Sequence, residues 1–254
     1  KNLFACKLYP AGVTTNSNFG INKIENIYSL LEKMEELGIP LLIHGEVNNQ
    51  DVDVFYREQV FIEKYLEKII EKFPNLKITL EHITTKFSVN YIMSKNSNLK
   101  ASITPHHLIY NRTDMLAHTI KPHLYCLPIL KKEEDRQTLL RVALSGNENF
   151  FLGTDSAPHF SYQKESVCGC AGVFNTINCL ETLAQLFDNY DSLFNLEKFV
   201  SINGASHYEL KTNKNTIQFF KRKTPIKFKE HLYVDKLKIK IFKPPFDVFW
   251  QKDG

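Results

Sequence analysis

One tryptophan, three methionines and no apolar run approaching a membrane span are what this 254-residue sequence has little of or lacks. A spanning helix needs about 18 or more consecutive apolar residues, so no membrane partner is expected. No repeat recurs at solenoid or propeller periods, and no low-complexity linker divides the chain. Charge of one sign is also scarce: 32 basic and 28 acidic residues leave +4, and the lysine-rich stretches near 221–243 are local. That balance excludes the one-signed field of a nucleic-acid binder, and no nucleic-acid partner is expected. The five cysteines do not describe a disulfide framework, and a chain of this size does not need one. A reducing cytoplasm is therefore the expected compartment. Cys168-Gly169-Cys170 lacks a matching second pair, which leaves it a weak metal signal.

What is present suits an ordinary core: 43% hydrophobic and 24% charged residues. The length matches the roughly 250 residues of an α/β barrel, and one domain over residues 1–254 is the expectation. Short apolar runs read as strands at 3–8, 40–46, 76–82, 99–104 and 150–154. Between them lie helical patterns. Ile24, Ile27, Leu30, Leu31, Met34 and Leu37 recur at three- and four-residue steps before a stop at Gly38. Asp51 or Asp53 is the expected cap of a long helix ending at Pro74. Further helices are expected over 86–94, 133–145 (stopped by Gly146), 174–187 and 196–202. Residues 105–131 read as one long irregular segment, and 236–242 as an edge strand outside the main core. Strands and helices alternating at 30- to 40-residue intervals mean βα units and a parallel sheet.

Four of those five strands end in ionisable residues: Lys7, His44, His82 and Asp155. Singly, each has a structural reading: a surface lysine, a hydrogen-bonded core or rim histidine, an aspartate capping a helix. At equivalent ends of parallel strands they describe a site. Two neutral imidazoles and a carboxylate are ligands for a divalent transition metal, zinc above all. An ammonium cannot coordinate a cation, but a neutral lysine amine that takes up carbon dioxide becomes a carbamate, an oxygen donor able to bridge two metals.

Lys7 in Ala5-Cys6-Lys7-Leu8-Tyr9-Pro10, His44 in Leu42-Ile43-His44-Gly45-Glu46, His82 in Glu81-His82-Ile83-Thr84-Thr85 and Asp155 in Gly153-Thr154-Asp155-Ser156-Ala157-Pro158-His159 resemble the amidohydrolase superfamily. More closely, they resemble the dihydroorotases of the short, bacterial-type class. Residues 7–16 (KLYPAGVTTN), 104–112 (TPHHLIYNR), 122–130 (PHLYCLPIL) and 164–172 (KESVCGCAG) extend the likeness over nearly the whole chain. The resemblance implies a (β/α)8 TIM barrel and two zinc ions bridged by carboxylated Lys7. It places His44 and His82 on one metal and Asp155 on the other. It implies a substrate carboxylate held by His159, backbone contacts from Leu127 and Ala171, and a closing loop at Thr14 and Thr15. The implied reaction interconverts N-carbamoyl-L-aspartate and L-dihydroorotate in pyrimidine biosynthesis. The zincs would acidify a shared water, and Asp155 would take its proton and deliver it to the leaving nitrogen. A homodimer is the expected assembly.

The chain departs from that family in lacking a His-x-His pair; its only close histidines are His106 and His107. Lys7 normally follows the fourth barrel strand, so the resemblance implies that strands one to three lie upstream, on an N-terminally truncated chain inactive by itself. Asn203-Gly204-Ala205 stands where such enzymes more often have Asn-Gly-Pro or Asn-Pro, a change that touches no ligand. His106, His107, His118, His123, His207 and His231 read as structural. Two alternatives stay open: another cyclic-amide hydrolase of the allantoinase or hydantoinase kind, and a non-catalytic dihydroorotase-like domain.

Overall fold

Short runs rich in leucine, isoleucine and phenylalanine pair as five strands: β1 (Cys6–Leu8), β2 (Leu41–His44), β3 (Ile78–Glu81), β4 (Leu99–Ile103) and β5 (Phe150–Leu152). The structure is a computed structural model and describes residues 3–13, 17, 20–21, 23–95, 98–167 and 169–253. The strands lie side by side in chain order and every pairing is parallel. Leu41 sits opposite Cys6 and Ile78, Leu80 opposite Ile43 and Ala101, and Phe150 opposite Ala101. Sequential parallel strands joined by helices form the arc of a (β/α) barrel, the α/β class expected. Their continuous apolar character follows from burial: Ile43, Leu80, Ala101, Ile103 and Phe150 are all shielded from solvent.

Helix α1 (Tyr28–Leu37) buries Leu31 and Met34 and stops where Gly38 turns left-handed at φ +61°, its N–H closing on Glu35 and Met34. Helix α2 spans 57–72, with one wide turn at Ile62–Leu66, and packs Phe61, Ile62, Leu66 and Ile69 inward. Its start differs from expectation. Neither Asp51 nor Asp53 caps it; Asp53 instead accepts the Phe55 N–H at 2.8 Å in a local turn, and the helix begins at Arg57. Helix α3 (Lys86–Ser94) is capped by Thr85, which accepts from Ser88 N–H.

The 105–131 segment is not irregular throughout. It holds α4 (Pro105–Ile109), α5 (Arg112–Leu116) and a tight turn at Pro122–Leu124. Thr104 caps α4 ahead of Pro105, and Asn111 with Asp114 forms a capping box for α5. Helix α6 (Glu133–Leu144) is followed by the short α7 (Ser161–Lys164), then α8 (Cys179–Asp188) and α9 (Asn203–His207). Asn203 opens α9 and ties it to the sheet, donating to Asn147 O at 3.0 Å and Phe150 O at 2.9 Å.

In the tail, β6 (Phe219–Lys221) pairs with β9 (Trp250–Lys252), while β7 (His231–Val234) and β8 (Leu237–Lys240) form a hairpin. Asp235 and Lys236, both at positive φ, make its turn. The tail is less peripheral than expected. Ile239 bridges to Phe160, and Ile239 and Ile241 are buried because alternate residues of β8 and its extension face inward; Phe242 breaks the alternation and is also buried, its N–H donating to Phe174 O at 2.8 Å. No helix of the described residues is long and apolar enough to cross a membrane.

Two buried polar groups hold this framework together. Glu58 on α2 accepts from the N–H and hydroxyl of Thr84 (2.9 and 2.6 Å), from those of Thr85 (3.0 and 2.7 Å) and from the Ser88 hydroxyl. It thereby braces the turn leaving β3. On α9, His207 Nε2 meets the Thr79 hydroxyl of β3 at 2.9 Å, and that hydroxyl also meets Tyr208 at 2.9 Å. Burial lowers the His207 pKa to about 4, with Lys100 and Lys77 adding to the effect.

Glu58→Ala removes the acceptor of two N–H groups and three hydroxyls at once, leaving the Thr85 and Ser88 hydroxyls only each other, and is expected to lower unfolding free energy by roughly 2–4 kcal/mol in urea titrations. For His207 the sign follows from linkage. The unfolded imidazole protonates near 6.5 and the folded one only near 4. Between those values the unfolded state holds the extra proton, so stability is full above about pH 6.5 and declines as pH falls toward 4. The urea midpoint of His207→Gln is expected to change less between pH 7 and pH 4.5 than that of the parent protein. An equal change in both would contradict the assignment.

Candidate active site

A parallel sheet sends every strand's C-terminal end to the same rim, and this rim carries the ionisable residues. Lys7 lies within β1, His44 ends β2, His82 directly follows β3 and Asp155 lies three residues past β5. The register sets Lys7 opposite Leu42 and His44 opposite Glu81. The His44 and His82 rings meet edge to face with centroids 4.8 Å apart. The Lys7 ammonium reaches across to the Glu81 carboxylate. His82 and Asp155 both take positive φ, +44° and +41°, a left-handed backbone that non-glycine residues adopt at a cost and that turns the chain sharply at the strand ends.

The electrostatics fit metal ligation. His82 is 4% exposed; burial drives its pKa well below the usual value, and His44, Lys7 and His107 push it the same way. It is a neutral imidazole, the form that binds metal. Buried His44 places Nε2 3.0 Å from Glu46 Oε2. With Nε2–H donated to that carboxylate, Nδ1 carries the lone pair. Lys7 and Asp155 keep solvent-accessible side chains, yet the surrounding protein displaces enough water to shift both. Desolvation lowers the Lys7 pKa against the opposing pull of Asp155. Desolvation raises the Asp155 pKa, with Lys7 and His44 opposing. Among the described residues, His82 Nδ1 and Glu46 Oε1 are buried without a hydrogen-bond partner, polar atoms of the kind a cation or water satisfies.

A second group lies on the loops beside Asp155. His159 places Nε2 3.0 Å from the Ala171 carbonyl. Gly172 N–H donates to Tyr125 O at 2.9 Å, joining the Ala171 loop to the Leu127 loop. Among the described residues, the N–H groups of Leu127 and Ala171 have no protein partner. The structure thus brings Lys7, His44, His82 and Asp155 together, and separately brings His159, Ala171 and the Leu127 loop together. Thr14 and Thr15 lie outside the described residues.

Three contributors gave no sign of their role in the sequence. Glu46 and Glu81 were visible only as acids beside strand-end histidines, and their partners, His44 and Lys7, emerge from the folded geometry. Lys164 carried no local signal, because its partners belong to other loops.

A different trio of donors is also close: His106, His107 and Cys126, all buried, with ligand atoms within 4.8 Å of one another. This trio could hold a metal ion, but most of its polar atoms are already engaged. His107 meets the Thr104 hydroxyl at 2.7 Å and the Pro128 carbonyl at 2.9 Å, and the Cys126 thiol donates to that same carbonyl. Burial lowers His107 to about 3 and raises the Cys126 thiol to about 12, so a neutral imidazole faces a protonated thiol. His106 spends Nδ1 on Asn175, at 3.1 Å.

Comparison with known proteins follows the same lines. Residues 3–218 match the amidohydrolase family. A dihydroorotase of Shewanella oneidensis is 52% identical over 220 residues, covering 87% of this chain and 64% of the relative. A dihydroorotase of Agrobacterium fabrum is 47% identical over 246 residues, covering 97% and 71%. The crystal structure of the Saccharomyces cerevisiae dihydroorotase in complex with 5-fluoroorotic acid superposes with a TM-score of 0.87 at 32% identity, over 98% of this chain and 73% of that one. The chain thus spans between about two thirds and three quarters of the length of these relatives. The chain belongs to the amidohydrolase family and, within it, to the dihydroorotases.

Proposed function

We propose that the full-length protein carrying this chain is a zinc-dependent dihydroorotase, interconverting N-carbamoyl-L-aspartate and L-dihydroorotate. The observation that carries the reading is the meeting of Lys7, His44, His82 and Asp155 from four strand ends of a chain in the dihydroorotase family. The donor set fits zinc: a neutral His82, a His44 oriented by Glu46, the Asp155 carboxylate and, once carbamoylated, an oxygen donor from Lys7. Desolvation favours the neutral Lys7 amine that carbamoylation needs; the Glu81 carboxylate holds that nitrogen at the site but favours the ammonium, so the neutral form is won against it. Zinc, when bound, supplies Lewis acidity and makes water acidic enough to ionise near neutral pH.

The protein's own groups supply binding and proton transfer. Hydrolysis adds one water across the ring amide C–N bond of dihydroorotate. The Asp155 carboxylate, flanked by Lys7 and His44, accepts the proton of the attacking water and returns it to the departing ring nitrogen. The reverse sequence closes the ring and releases water. The N–H groups of Leu127 and Ala171, without a partner among the described residues, suit a substrate carboxylate. His159, with Nε2–H given to Ala171 O, is held beside these N–H groups and leaves Nδ1 for the anion site.

The test is turnover by the full-length protein. L-dihydroorotate is expected to be hydrolysed in preference to hydantoin and allantoin, with orotate competing. Preference for hydantoin would instead favour the other cyclic-amide hydrolases. Asp155→Asn is expected to lower kcat by about 10²- to 10⁴-fold, the usual contribution of a positioned acid–base group. Chelation is expected to abolish activity and added zinc to restore it; full activity in protein assayed free of metal would refute the zinc assignment.

A further inference from the structure

Lys164 ends α7 and is 3% exposed, yet among the described residues it has no ion-pair partner. A buried ammonium needs its three N–H donors satisfied, and here three backbone carbonyls do so: Tyr125 at 2.7 Å, Cys170 at 2.8 Å and Gly172 at 2.7 Å. The Tyr125 ring lies 5.8 Å away, within cation–π range. Burial lowers the Lys164 pKa to about 8, which leaves the ammonium charged at neutral pH.

The three carbonyls belong to the two loops already described. Cys170 and Gly172 flank Ala171, and Tyr125 precedes Leu127 by two residues. In a trans peptide the C=O and N–H point in opposite directions. Holding the Cys170 carbonyl therefore aims the Ala171 N–H away from Lys164, and that N–H has no protein partner among the described residues. Gly172 makes the close approach possible: at φ +148° it carries no Cβ, and one added there would lie 2.6 Å from the Ala157 Cβ.

We propose that Lys164 is the positioning residue of the substrate-anion site, fixing the Ala171 N–H and the spacing of the Leu127 and Ala171 loops. It touches no substrate. Its buried positive charge also adds to the field that an anionic substrate meets. This inference rests on the dihydroorotase reading.

Kinetics of the full-length protein separate the two. Turnover of dihydroorotate by the parent protein is measured first, and its failure would remove the functional reading and this one with it. Given turnover, Lys164→Met is expected to raise KM for dihydroorotate by roughly 10- to 100-fold, as loss of charged hydrogen bonds does, with kcat and metal content per chain little changed. Lys164→Gln keeps two donors and is expected to fall between parent and Met variant. If Lys164→Met does not fold, Lys164→Gln decides alone through the same split. An unchanged KM, or a loss of kcat and metal in parallel with the rise in KM, would overturn the proposal and make Lys164 a structural clamp.

Discussion

Parallel pairing is the constraint on which the rest of this molecule depends. Hydrogen bonding five strands in one direction puts all their C-terminal ends on one rim, whatever those ends carry. The apolar runs drive the sheet to form, because Ile43, Leu80, Ile103 and Phe150 leave water when the strands pair. Lys7, His44, His82 and Asp155 are thereby brought together by the burial of their neighbours. The positive φ of His82 and Asp155 records that the chain bends at the rim to complete the arrangement.

Polar groups that follow the strands inward then have to be satisfied, and backbone does most of it. Glu58 collects the N–H groups of Thr84 and Thr85, just beyond His82, and Lys164 collects three carbonyls around Ala171. A carboxylate can only accept and an ammonium can only donate, so each gathers one kind of backbone group and leaves the opposite kind facing away. The same rule acts on His44, whose pairing with Glu46 leaves Nδ1 as its free acceptor. Groups that look structural thus decide which atoms the rim offers to a ligand.

Proximity of donors is a weaker guide than their hydrogen-bond state. His106, His107 and Cys126 are tightly grouped, but two of the three already meet the Pro128 carbonyl. Among the described residues, the rim leaves His82 Nδ1 and Glu46 Oε1 buried without partners, whereas the trio leaves only His106 Nε2 so.

The strands, the stops at Gly38 and Gly146 and the strand-end residues were legible in the sequence, because burial writes apolar runs and glycine writes left-handed turns. Helices α4 and α5 were not, since five residues are too few to show a helical period; only their caps, Thr104 and Asn111, marked them. The pairings were beyond sequence reading altogether. Lys7 and Glu81 lie 74 residues apart and Lys164 and Tyr125 lie 39 apart, separations at which no local pattern reports a contact. The sequence by itself determined which chemistry stands at each strand end. Tertiary structure alone decided which of those groups meet and which are left free, because register and loop packing set the contacts.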